Sequence, residues 1–95
     1  MKYRWMSLGI ELGANAVEER LTEIALLTRK TFPECRWTRQ NGTPAEHINE
    51  LRVIVNSREE PVRFTDRELI SYSSRKRRTV IDHRMQAVLK RLLDA

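Results

Sequence analysis

The chain has 95 residues, of which 40% are hydrophobic and 33% are charged, and its net charge is +5. This length and composition predict one globular domain over residues 1–95. The single cysteine, Cys35, excludes an internal disulfide framework and a cysteine-rich zinc site, and a lone thiol is typical of the reducing cytoplasm. The longest apolar run, residues 24–27, is too short to cross a membrane and no secretion signal is recognised, so we expect a cytoplasmic protein.

Residues 2–10 alternate weakly between polar and apolar, which predicts a possible extra N-terminal strand, or an arm lying on the body of the domain. Gly9 and Gly13 are expected to interrupt regular structure after it. Asn15 resembles a helix N-cap, and apolar residues recur at helical spacing from there to Pro33. The pattern therefore predicts a first helix over residues 16–31.

Two strands and a hairpin are predicted next. Residues 34–40 alternate as a strand does, and Asn41-Gly42 is a strong hairpin signal because both turn positions tolerate a positive φ. The second strand is expected after Pro44, which cannot donate to a strand ladder. The side chains that share the core-facing side of this strand are Leu51, Val53 and Val55.

A second turn is predicted over residues 56–61, and Val62 and Phe64 then alternate in a third strand that ends at Thr65. Ile54 is predicted to point to the outer face of the resulting sheet, where it could contribute to an apolar patch.

The last third of the chain reads as two helical segments. Thr65 and Glu68 have the spacing of a capping box, which predicts that a short helix starts at residue 66. One straight helix to Leu93 would be about 42 Å long, more than a chain of this size accommodates, so we expect a bend near Ser73 and Ser74. The apolar stripe of the main helix is formed by Ile81, Met85, Val88 and Leu92, with Leu89 beside it.

These elements predict an α+β domain in the order helix, three-stranded antiparallel sheet, helix (α-β-β-β-α), with both helices on one sheet face. No constellation of catalytic or metal-binding residues is recognised. His47 and His83 have no partner at metal-ligand spacing, and Cys35 has no assignable base. We therefore expect no enzymatic activity, no cofactor and no small-molecule substrate.

The charge imbalance of the chain is concentrated in its last third. Residues 1–66 contain ten basic and ten acidic residues, whereas residues 67–95 contain eight basic and three acidic residues, a net charge of +5. On the helical wheel, one row of cations runs through positions 77, 84 and 91 and a second row through positions 76, 83 and 90. The candidate binding residues are Arg75, Lys76, Arg77, Arg78, Arg84, Lys90 and Arg91.

Two explanations of this basic segment stay open. Its arginines could cover apolar surface with their stems on a solvated helix flank, and Glu59 and Glu60 could compensate the charge. Alternatively, adjacent cations that repel one another and oppose the dipole at a helix start indicate an anionic partner. In either case we expect at least three of the four side chains at residues 75–78 to be exposed.

Two function classes follow from the basic segment. The first is a small non-enzymatic interaction domain that binds an acidic protein partner, or a second copy of itself, through the basic helix or the open sheet face. The second is nucleic-acid binding, to RNA or DNA, through the same cations. Tyr72 is the one aromatic residue beside the basic run, so stacking of single-stranded bases is not favoured.

The predicted order of elements, with a basic run opening the last helix, resembles the double-stranded RNA-binding domain. That family also has a glycine, a proline and a histidine between its first two strands. Gly42, Pro44 and His47 stand in the corresponding region here, with different spacing, and Arg75 to Arg78 stand where the family has its lysine cluster. The resemblance implies RNA binding through this basic run.

The chain is also similar to a group of short bacterial proteins over residues 17–93. In that group a helix ending in Phe-Pro precedes the strands, followed by a Phe strand, a Leu-x-x-Tyr turn, an arginine-rich stretch and a final amphipathic helix. The matching positions here are Phe32-Pro33, Phe64, Leu69 to Tyr72, Arg77-Arg78 and residues 85–93. The resemblance implies a bacterial cytoplasmic protein and no particular activity.

Overall fold

The computed structural model describes residues 5–29, 31–41, 47–74 and 78–93. The elements are helix α1 (Leu8–Arg29), strands β1 (Glu34–Asn41), β2 (His47–Val55) and β3 (Arg58–Thr65), and helices α2 (Asp66–Ser73) and α3 (Arg78–Leu93). The predicted α+β class is confirmed, because a helix and a three-stranded antiparallel sheet are followed by helices that pack on the sheet. The bend predicted in the last third is also confirmed, since that region forms two helices.

Helix α1 starts earlier than the sequence pattern predicted. It begins at Leu8, and the Ser7 hydroxyl accepts a hydrogen bond from the backbone N–H of Ile10 at 3.4 Å. The prediction of Asn15 as the N-cap is therefore wrong, and residues 8–10 are helical where a strand or arm was expected. The segment is helical because its buried residues recur at helical spacing. These residues are Met6, Ile10, Ala14 and Val17.

The two glycines that were expected to break regular structure lie inside α1 and face α2. A Cβ atom placed on Gly13 would lie 1.9 Å from the carbonyl oxygen of Leu69, whereas one on Gly9 would lie 3.4 Å from Cγ1 of Ile70. Gly13 therefore lets the backbones of α1 and α2 approach closely, at the cost of lower helix propensity.

The sheet has the order β1-β2-β3, with β2 in the centre. Side chains on one face are buried beneath the helices, whereas the opposite face, called here the outer face, is largely exposed. This alternation confirms the predicted core-facing side of β2. The buried sheet residues that form the core with the helices include Trp37, Leu51, Val53, Val55, Val62 and Phe64.

The second hairpin is tighter than predicted. Asn56 and Ser57 alone form the turn, with φ values of 51° and 67°, which is typical of a two-residue type I′ hairpin. The predicted turn over residues 56–61 is therefore wrong, and Pro61 lies within β3, an edge strand that tolerates proline. Of the first hairpin, Asn41 ends β1 opposite His47, and Gly42 lies outside the described residues.

The capping box at the start of α2 is confirmed. The Thr65 hydroxyl accepts from the backbone N–H of Glu68 at 3.1 Å, and the Glu68 carboxylate accepts from the backbone N–H of Thr65 at 3.0 Å. At the other end of α2, the hydroxyls of Ser73 and Ser74 donate to backbone carbonyls one turn earlier, at 2.7 and 3.1 Å. These bonds satisfy carbonyls where the helix stops.

The core confirms the predicted stripe of α3. Ile81, Met85, Val88, Leu89 and Leu92 are all buried. By contrast, Leu27 near the end of α1 and Phe32 between α1 and β1 are strongly exposed. No helix in the described part of the chain is long and apolar enough to cross a membrane.

The two glycines of α1 give opposite expectations for stability. Gly13→Ala should lower the free energy of unfolding by roughly 1–3 kcal/mol, because the new methyl group meets the backbone of α2. Gly9→Ala, which meets only a side chain at contact distance, should be neutral or stabilise by up to about 1 kcal/mol. Urea denaturation of the two variants measures both, and a Gly13→Ala protein as stable as Gly9→Ala would contradict the close helix contact.

Candidate interaction site

The buried stripe of α3 determines which of its cations reach solvent. With Ile81, Met85 and Val88 turned inward, the flanks of the helix carry Arg84 and Arg91, and Lys90 is exposed. Arg75, Lys76 and Arg77 lie outside the described residues. The expectation that at least three side chains of residues 75–78 are exposed therefore stays a prediction.

Arg84 is partly buried and bonded within the domain. Its two terminal nitrogens donate to the two carboxylate oxygens of Glu68 at 2.9 and 2.5 Å, and one of them also donates to the carbonyl of Arg63 at 3.2 Å. Its guanidinium lies 5.9 Å from the centre of the Phe64 ring. Hydrogen bonding to Glu68 raises the pKa of Arg84, and this arginine joins α3 to α2 and β3.

Arg78 opens α3 and lies over Tyr72. The guanidinium carbon is 4.8 Å from the ring centre, and the arginine side chain is half-buried. The Tyr72 hydroxyl donates to Asp82 at 2.8 Å, and Arg20 of α1 lies 3.5 Å from the other oxygen of this carboxylate. Asp82 is thus shared between Tyr72 and Arg20, and the first turn of α3 contains no acidic residue.

Glu59 and Glu60 do not pair with Arg78, the first residue of α3. Glu60 lies 3.7 Å from Arg91, near the other end of the helix, and Glu59 lies 3.5 Å from Arg52 on the outer face of the sheet. Arg78 and Arg91 are about 20 Å apart along the helix axis. Glu60 is therefore too far from Arg78 to neutralise it, although the sequence had left that ion pair possible.

Two exposed apolar side chains flank the segment between α2 and α3. Ile70 on α2 is 47% exposed and Val80 on α3 is 54% exposed. Tyr72, which was the one aromatic residue available beside the basic run, is fully buried and offers no stacking surface. We call Ile70, Arg78 and Val80, the described residues near the end of α2 and the start of α3, the junction surface.

The residues considered for catalysis are separated in the structure. His47 starts β2 and His83 lies on α3, and both are exposed. Cys35 is half-buried on the helix-facing side of β1. Within the described ranges, no group of three metal-ligating side chains comes together.

Comparison with protein families, with curated proteins and with solved structures finds no match for this chain.

Tyr72 should make stability depend on pH in the alkaline range. Burial, followed by the hydrogen bond to Asp82 and the charge of that carboxylate, raises the pKa of Tyr72 well above its ordinary value of 10.0. The folded state therefore keeps a proton that the unfolded state loses. Its stabilising effect is complete below about pH 10 and falls above it by up to about 1.4 kcal/mol per pH unit.

Tyr72→Phe removes this titration, and at neutral pH it should cost about 1 kcal/mol for the lost hydrogen bond. Unfolding free energies measured across the alkaline range for wild type and variant isolate the effect, because Tyr3 is present in both. Equal losses of stability with rising pH in the two proteins would show that the hydroxyl of Tyr72 is not protected.

Proposed function

We propose that this chain is a non-enzymatic interaction domain that binds an acidic protein partner through the junction surface. The observation that carries the proposal is that, in the described part of the chain, the start of α3 has a cation and no acidic side chain in its first turn. Arg78 opens the helix, the first turn has no acidic residue, and Asp82 is shared between Tyr72 and Arg20. Positive charge at a helix N-terminus is unfavourable, and an acidic partner would remove this cost.

The chemistry of the junction surface favours a protein over a nucleic acid. Ile70 near the end of α2 and Val80 near the start of α3 are exposed apolar side chains, as expected where a protein surface docks. The row of cations that could have followed a phosphate backbone is interrupted, because Arg84 is bonded to Glu68 and Arg91 lies near Glu60. Binding of RNA or DNA through the same cations is the alternative, and the resemblance to the double-stranded RNA-binding domain implies RNA.

A location in the bacterial cytoplasm belongs to the same proposal. It is supported by the lone thiol of Cys35, which suits a reducing compartment, and by the similarity to short bacterial proteins.

Binding to a labelled peptide rich in glutamate, aspartate and leucine, followed by fluorescence anisotropy at low salt, tests the proposal. We expect saturable binding that weakens about tenfold or more in the variant Arg75→Glu/Arg77→Glu. Arg78 stays in place in this variant, so its contact with Tyr72 is preserved. The matched control is Lys90→Glu/Arg91→Glu, which makes the same change in charge at the other end of α3 and should bind as wild type does.

The same titration with double-stranded RNA and duplex DNA separates the two function classes. Tighter binding of a nucleic acid, with a log–log salt slope near one unit per phosphate contact, would replace the protein partner with the alternative. Equal loss of peptide binding in both double variants would show a general charge effect and contradict the junction surface as the site.

A further inference from the structure

A stripe of side chains runs along the solvent side of α1, opposite the face that packs on the core. Its members follow one another in alternating steps of four and three residues, which is the spacing at which one helix pairs with another. The stripe extends over about 27 Å of the helix axis. We call it the α1 seam, and its members are Leu8, Leu12, Asn15, Glu19, Thr22 and Leu26.

The apolar residues at the two ends of the seam are left in water. Leu8 is 69% exposed, Leu12 is 52% exposed and Leu26 is 36% exposed. On the opposite side of the same helix, Val17 and Leu21 are fully buried in the core. The helix therefore has a second apolar stripe that its own domain does not cover, which is typical of a surface that packs against another molecule.

The centre of the seam is acidic. Glu19 is exposed, and it lies midway between Leu12 and Leu26, about 10 Å along the axis from each. An open depression of about 460 Å³ lies at this point of the helix. Its described lining residues are Asn15, Glu18, Glu19 and Thr22. A long basic side chain from a partner would find two carboxylates there.

Arg20 follows Glu19 in the sequence but does not neutralise it. The guanidinium of Arg20 donates to Glu23 at 2.7 Å and lies 3.5 Å from Asp82, on another side of the helix. Within the described ranges, Glu19 forms no ion pair. Its charge is therefore available to a cation from outside the domain.

This central charge decides between the possible occupants of the seam. Nucleic acids and anionic membrane surfaces would be repelled by it. A second copy of α1 packed antiparallel would bring Leu8 of one copy to Leu26 of the other. However, it would also bring Glu18 and Glu19 of both copies together at the centre, where like charges are destabilising. Charge complementarity instead requires a partner with a basic centre.

We propose that the α1 seam binds an amphipathic helix of a partner protein. The partner helix would carry apolar residues two heptads apart, opposite Leu12 and Leu26, and a lysine or arginine midway between them, opposite Glu19. The apolar ends would supply the buried area, and the central ion pair would fix the register. This partner is opposite in charge to the acidic partner of the junction surface, so the two proposals stand independently.

A labelled three-heptad amphipathic peptide tests the proposal by fluorescence anisotropy. The peptide has leucine at the seam positions of its first and last heptads and arginine at that of its middle heptad. Wild type should bind it saturably, and Leu12→Gln should raise the dissociation constant about tenfold or more. Leu27→Gln is the matched control, because this leucine is 77% exposed on the same helix but lies outside the seam. It should bind as wild type does.

A reversal of charge tests the central contact. Glu19→Arg should weaken binding of the arginine peptide about tenfold or more, and it should bind more tightly the same peptide with glutamate at the central position. Glu34→Arg makes the same change in charge at an exposed site on β1 and should keep the preference of wild type for arginine. If Leu12→Gln fails to fold by circular dichroism, this reversal decides the question.

Three results would overturn the proposal. The first is a wild-type protein that binds neither peptide at high micromolar concentration, or that binds both equally. The second is an equal loss of binding in Leu12→Gln and Leu27→Gln. The third is a set of α1 amide shifts that depends on protein concentration without peptide, because a second copy of the chain would then occupy the seam.

Discussion

The arrangement of the last two helices depends on the interaction of the Glu68 carboxylate with Arg84. This carboxylate completes the capping box of α2 by accepting a hydrogen bond from the backbone N–H of Thr65. It also accepts hydrogen bonds from both terminal nitrogens of Arg84. One largely buried carboxylate thus connects the end of β3, the start of α2 and the middle of α3. Because Arg84 continues over Phe64 to the carbonyl of Arg63, α3 is fixed along the edge strand of the sheet.

The cations around α3 differ in what they contact. Arg84 is used to hold the fold, and Arg58 donates from β3 to the carbonyl of Leu92 at the C-terminal end of the helix. The start of α3 has no such neutralising partner in its first turn, whereas the outer face of the sheet has equal numbers of both signs. The start of α3 and the outer face of the sheet therefore differ chemically.

Local patterns in the sequence predicted most of the elements, because they depend on residues within one turn or strand of each other. The capping box of Thr65 and Glu68 and the stripe from Ile81 to Leu92 are examples. What the sequence could not predict depends on contacts between distant residues. Gly13 looks like a helix breaker until α2 lies against it. Likewise, Arg84 could be counted as a binding residue because nothing near it in sequence indicates its contact with Glu68.

The central claim is that Arg84 is a structural residue that orients α3 through Glu68. A double-mutant cycle with Arg84→Met and Glu68→Gln, measured by the free energy of unfolding, tests it most directly. The account predicts a coupling energy of about 1.5–3 kcal/mol, as for hydrogen bonds between charged groups in a partly buried site. A coupling energy below about 0.5 kcal/mol would contradict it, because the two side chains would then act independently and Arg84 would return to the set of available cations.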